Sequence, residues 1–131
     1  MKTTLDDSPA PQYKSLSYYR SAISPCELAT VDDRDLYSGL IRLHILHHAE
    51  KEPIFGLGMI EELARHGYRL SAGTLYPILH GLEAKGYLRS INRRNGSKIR
   101  RVYRATPAGR RALVASRAKV RELFGEMFEE A

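Results

Sequence analysis

Apolar residues recur at the i, i+3, i+4 spacing of a helix face in four stretches of the chain. The first, "LYSGLIRLHILHHA", turns Leu36, Leu40 and Leu43 with Ile41 and Ile45 toward a core. It opens on Asp32, Asp33 and Asp35, at the end of a helix where the dipole favours negative charge, and stops before Pro53. The second, "GLGMIEELARHG", carries Met59, Ile60, Leu63 and Ala64 as its stripe, with Gly67 supplying a left-handed terminating position. Ser71 is placed to N-cap the third, whose buried residues are Leu75, Ile78, Leu79 and Leu82. The fourth runs from Thr106 and Pro107, a cap followed by proline at the first helical position, to about Glu129.

Between the third and fourth helices the period changes. "YLRSINRR" and "KIRRVYRAT" flank "NGS", and Asn-Gly between two strand-like runs is a strong short-range hairpin signal. Three helices, a hairpin and a final helix is the order of a winged helix-turn-helix, a mainly α fold with a small β-hairpin (α+β). Three parts are expected: an arm over residues 1–30 that is flexible or loosely packed, a winged helix-turn-helix over 31–106, and a C-terminal dimerisation helix over 107–131. In that helix Leu113, Val120 and Met127 stand seven residues apart, with Leu123, Phe124 and Phe128 beside them. A second copy of the chain is the expected cover for this stripe; Tyr18 and Tyr19 of the arm are the alternative.

The third helix begins oddly. Gly73 and Pro77 are poor helix residues, yet both lie in its opening turns. On a helical wheel Gly73, Tyr76, Pro77, His80 and Ala84 fall opposite the apolar stripe, giving an outer face of mostly small side chains. Such a face lets the backbone approach a groove wall, and the free N–H groups of a first turn can donate to a phosphate.

Charge sharpens this picture. The 131 residues carry a net charge of +6, 43% hydrophobic and 27% charged residues, enough for one core and too few for a two-domain enzyme. Residues 1–50 hold five Lys/Arg against seven Asp/Glu, and 51–131 hold sixteen against eight. From Lys85 to Arg121 there are thirteen basic residues and no acidic one, the footprint of a surface that meets phosphates. Arg93, Arg94, Lys98 and Arg100 lie nearest the hairpin tip.

"LSAGTLYPILHGLEAKGYL" resembles the recognition-helix signature of the PadR family of bacterial transcriptional regulators, and "RRVYRATPAGRRAL" resembles that family's second wing strand and following helix. The similarity covers residues 36 to about 115. It implies a homodimeric, ligand-responsive repressor with Ser71, Gly73, Thr74, Tyr76 and Pro77 at double-stranded DNA, an inverted-repeat operator, and the last helix at the dimer interface, as in the family's short branch. Ala72 replaces the usual proline, and Phe55, Gly56, Leu57 and Gly58 stand where the family often has His-Gly-Tyr-Glu, so a tyrosine phosphate contact is missing there. The first 30 residues extend beyond the usual start of the family.

The expected DNA-contacting set is therefore Ser71, Gly73, Thr74, Tyr76, Pro77 and His80 with Arg93, Arg94, Lys98 and Arg100, and the expected dimer contacts are Leu113, Val120, Leu123, Phe124 and Met127. A winged helix that binds an acidic protein partner through its basic hairpin is the competing reading. A small aromatic or hydrophobic effector is expected between the first and last helices, where Tyr37, His44, Phe124 and Phe128 offer apolar walls and polar tips. His44 and His48 share a helix face at i, i+4, a spacing that can hold zinc; with no carboxylate or Cys partner fixed by spacing, core histidines are expected instead, and no metal or cofactor. The lone Cys26 can form no intramolecular disulfide, and no signal peptide or membrane span is visible, which reads as a cytoplasmic chain. No nucleophile-base pair or phosphate loop suggests catalysis.

Overall fold

Asp33 caps α1 (Arg34–Lys51) as its position suggests, its carboxylate accepting from the Leu36 N–H at 3.1 Å. The computed structural model describes residues 33–128; the arm expected over 1–30, with Cys26, Tyr18 and Tyr19, lies outside the described residues. Glu52, the residue before Pro53, is already extended, as the proline ring requires of its predecessor, and α1 ends there.

α2 (Gly56–Arg65) and α3 (Ala72–Ala84) stop by the same device. Gly67 and Gly86 take positive φ, 93° and 84°, which lets the next amide turn back onto the helix. Tyr68 N–H then bonds the Leu63 carbonyl and Tyr87 N–H the Leu82 carbonyl, both at 2.9 Å, while each glycine N–H bonds the carbonyl one residue further on. The hairpin follows, β1 (Leu88–Asn95) antiparallel to β2 (Lys98–Ala105), closed by a two-residue loop of Gly96 and Ser97. Ile54, between α1 and α2, adds a one-residue bridge to Tyr103, with bonds of 2.9 and 2.8 Å, and so clamps the base of the hairpin to the helices.

α4 (Pro107–Phe128) leaves the hairpin through a built corner. The Thr106 hydroxyl accepts from Gly109 N–H at 3.0 Å and donates to the Gly86 carbonyl, and Thr106 N–H donates to the Tyr87 carbonyl. Gly109 rests against that Tyr87 carbonyl so closely that a Cβ would overlap it. Further along, Arg117 reaches Glu50 of α1 at 3.3 Å.

One apolar core joins all of these elements, with Ile45, Leu63, Leu75, Leu79 and Tyr103 fully buried in it. Three expectations need correcting. Leu36 and Leu40 are exposed because α1 meets its neighbours along Ile41, Ile45, Leu46 and Ala49 instead. Ala64 faces outward, since α2 is buried along Gly56, Met59 and Leu63. Leu113 is a residue of the protomer's own core, 4% exposed, and is not available to a second copy.

Candidate nucleic-acid interface

The outer face of α3 is open. Gly73, Tyr76, Pro77 and His80 are exposed and Thr74 is half-buried, while Leu75, Leu79 and Leu82 anchor the opposite side. Ser71 occupies the N-cap position without capping: its hydroxyl donates to Thr74 Oγ1 at 3.3 Å, and no side chain takes the first-turn amides. Thr74 N–H bonds the Ser71 carbonyl at 3.1 Å, so the N–H groups of Ala72 and Gly73 are the ones open to an anion. Pro77 has no N–H for the carbonyl of Gly73, one turn back, and a Cβ at Gly73 would meet only the Ser71 hydroxyl, so the glycine leaves this face open instead of relieving a contact within the helix.

Tyr76 connects this face to α2. Its phenol lies directly over Gly56, the first residue of α2, where any Cβ would collide with the hydroxyl and the ring. In sequence Gly56 is the one residue of Phe55–Gly58 that keeps the family's glycine; in the fold it is the seat of Tyr76. The next residue toward the N-terminus, Phe55, lies beneath the guanidinium of Arg100, 4.1 Å from the ring centroid, a cation–π contact that aims a wing arginine. Tyr76, Gly56, Phe55 and Arg100 therefore form a continuous link from the third helix to the hairpin.

On the hairpin Arg93, Arg94, Lys98 and Arg100 are all exposed. The register sets Arg93 opposite Arg100 and Arg89 opposite Arg104, so like charges face one another across the strands. Such pairs are destabilising by themselves and relieved by an anion between or above them. The root of β1 is tied to α3 by Glu83, which accepts from both the hydroxyl (2.7 Å) and the N–H (3.1 Å) of Ser90. Hydrogen bonding from the Ser90 hydroxyl holds the Glu83 carboxyl below its ordinary range.

A separate groove of about 470 Å3 runs between α1 and α4, walled by Leu40, Leu43, Leu113, Val120 and Phe124, with His44, His47, Arg117 and Arg121 supplying polar groups. The four residues expected around an effector are divided by the fold. His44 and Phe124 line the groove, whereas Tyr37 packs edge-on against Tyr68, centroids 5.9 Å apart, and Phe128 leans on Phe124. Val120, Leu123, Phe124 and Met127 are 41–50% exposed on the single chain. His44 also stacks on His66, centroids 4.6 Å apart, and burial followed by the nearby His66 lowers its pKa. Spacing along the chain carries no sign of that neighbour, which comes from the end of a different helix.

Residues 45–115 match the model of the transcriptional regulator PadR-like family. The chain is 52% identical over 94 residues to Transcriptional regulator Rv3488 of Mycobacterium tuberculosis, covering 72% of this chain and 88% of that protein. A PadR family transcriptional regulator from Eggerthella lenta has a similar crystal structure, with a TM-score of 0.63 and 31% identity over 88% of this chain and 99% of the other. Bacillus subtilis PadR in complex with operator DNA shares the fold at a TM-score of 0.52 and 19% identity, over 58% of this chain and 46% of that one. No helix among the described residues is long and apolar enough to cross a membrane. With its sequence match over more than half its length and the same winged fold, the chain belongs to the PadR-like family of transcriptional regulators, which are not enzymes.

Proposed function

We propose that this protein is a cytoplasmic, dimeric, sequence-specific DNA-binding repressor. The observation that carries the reading is the link from Tyr76 on α3, across Gly56 and Phe55, to Arg100 on the hairpin, which joins the open helix face to the cationic wing as one surface. The operator complex of Bacillus subtilis PadR supports duplex DNA as the partner. In this reading Ser71, Gly73, Thr74, Tyr76, Pro77 and His80 meet the major groove and its phosphates, and Arg93, Arg94, Lys98 and Arg100 meet the neighbouring backbone or the minor groove. Residues 31–106 are the DNA-binding unit, and the helix within 107–131 pairs two copies through Val120, Leu123, Phe124 and Met127. A small aromatic or hydrophobic effector entering the α1–α4 groove beside His44 and Phe124 would bear on the pairing helix and so relieve repression.

Removing wing charges tests the surface. Arg93→Ala, Arg94→Ala and Arg100→Ala should each lower the log-log salt slope of DNA affinity by about 1 for every phosphate no longer neutralised, and weaken all sequences alike. Phe55→Ala, which leaves every charge in place, should weaken binding by freeing Arg100. Unchanged slope and affinity in the three arginine variants would favour a protein-binding module with an acidic partner.

A further inference from the structure

We propose that His44, His48 and His66, with Glu62, form a binding site for a divalent transition metal, zinc being the ion whose chemistry fits best. One nitrogen from each of the three imidazoles lies within 4.8 Å of the others. His44 and His48 stand one turn apart on α1, and His66 follows the last residue of α2. Glu62, one turn before His66, points one carboxylate oxygen at two of the rings: Oε2 is 3.0 Å from His66 Nε2 and 3.5 Å from His48 Nε2.

These two separations decide the geometry. With metal–ligand bonds of about 2.0–2.1 Å, neighbouring ligand atoms of a tetrahedral zinc site are roughly 3.3 Å apart. The Glu62 oxygen and its two histidine nitrogens already span edges of about that length, and a metal ion would take the place of the hydrogen bond between His66 and Glu62. The separations among the three imidazole nitrogens, up to 4.8 Å, must close by as much as about 1.5 Å, within reach of side-chain rotation for rings that are half-buried or exposed. The other carboxylate oxygen of Glu62 is held by Arg65 at 2.6 Å, an outer contact of the kind that orients ligands in metal sites. Three imidazoles and a carboxylate form a borderline-soft nitrogen and oxygen set, suited to zinc and its neighbours and not to calcium or magnesium.

The site would staple the C-terminal half of α1 to the end of α2, five residues before Ser71. His44 also lines the α1–α4 groove, so the ion would lie next to the face through which the chain is proposed to pair.

Calorimetric titration of the tag-free, metal-stripped full-length chain with Zn2+ is the test, alongside visible absorption with Co2+. One ion per chain and the strong visible bands of tetrahedral cobalt are expected. His66→Gln and His48→Gln should each weaken binding by at least the roughly 10–100-fold that even outer-shell changes produce. His47→Gln, one position from the cluster and outside it, should leave affinity unchanged. X-ray absorption on the zinc-loaded wild type needs no variant to fold and should show imidazole scattering from three ligands at about 2.0–2.1 Å. Absence of stoichiometric binding, or binding abolished in His47→Gln and kept in His66→Gln, would overturn the proposal.

Discussion

Gly109→Ala is expected to unfold the protein at a temperature lower by about 10 °C or more, out of proportion to the single methyl added. A Cβ at 109 meets the backbone carbonyl of Tyr87, which cannot rotate away as a side chain would. To relieve the overlap α4 must lift from the hairpin corner, and the bonds of Thr106 to Tyr87 and Gly86 stretch with it. Overpacking of about 1–3 kcal/mol and one or two hydrogen bonds of about 0.5–1.5 kcal/mol each set the scale, about 1.5–6 kcal/mol in all. Gly39→Ala and Gly125→Ala supply the contrast, since both positions are helical and open. There alanine should be neutral or stabilising by up to about 1 kcal/mol, through a less flexible unfolded chain and better helix propensity. Thermal denaturation of the three variants separates the cases; equal melting temperatures would mean that the corner yields to a methyl group.

The second large effect concerns association. Val120, Leu123, Phe124 and Met127 leave an apolar strip along the far half of α4 on the single chain. Burying one such side chain is worth about 1.5–3 kcal/mol, and a two-fold axis counts each residue twice. Leu123→Ala with Phe124→Ala should therefore weaken self-association by at least about 100-fold, turning a dimer at micromolar concentration into a monomer on sedimentation. The melting transition of the separated chain should change little, because neither side chain belongs to the core. Affinity for DNA should fall with the dimer, since one subunit offers only one third helix. An intact chain that sediments as a monomer and still binds its operator tightly would remove the pairing role of α4.

Much of this architecture is written locally. Asp33, Thr106, Gly67 and the Asn95-Gly96 signal are short-range devices, and each lies where the sequence suggests; Gly86 ends α3 by the same left-handed device as Gly67. Ser71 marks the start of α3 equally well, though its hydroxyl turns to Thr74 and not to the backbone. What cannot be read depends on how helices cross. Periodicity names a helix face but not the neighbour that covers it, so it points Leu36, Leu40 and Ala64 inward and Leu113 to a subunit interface, where the fold does the reverse. The same reason hides the seat of Tyr76 on Gly56, the Ile54 bridge, and the meeting of His66 and Glu62 with His44 and His48. Each joins residues from separate elements, with no spacing rule between them.

Selection of bound fragments from a random duplex pool, by the intact chain at moderate salt, is the most direct test of α3 and the hairpin as one DNA-reading surface. An inverted repeat should emerge, its half-sites centred about one helical turn, roughly 34 Å, apart, as two third helices on a two-fold axis require. Repeating the selection with Tyr76→Phe and Thr74→Ala should relax the preference at particular base pairs, each good contact being worth about 1–3 kcal/mol. A pool that gains no sequence preference at all, or the same preference in both variants as in the parent, would contradict the assignment of α3 as the reading helix.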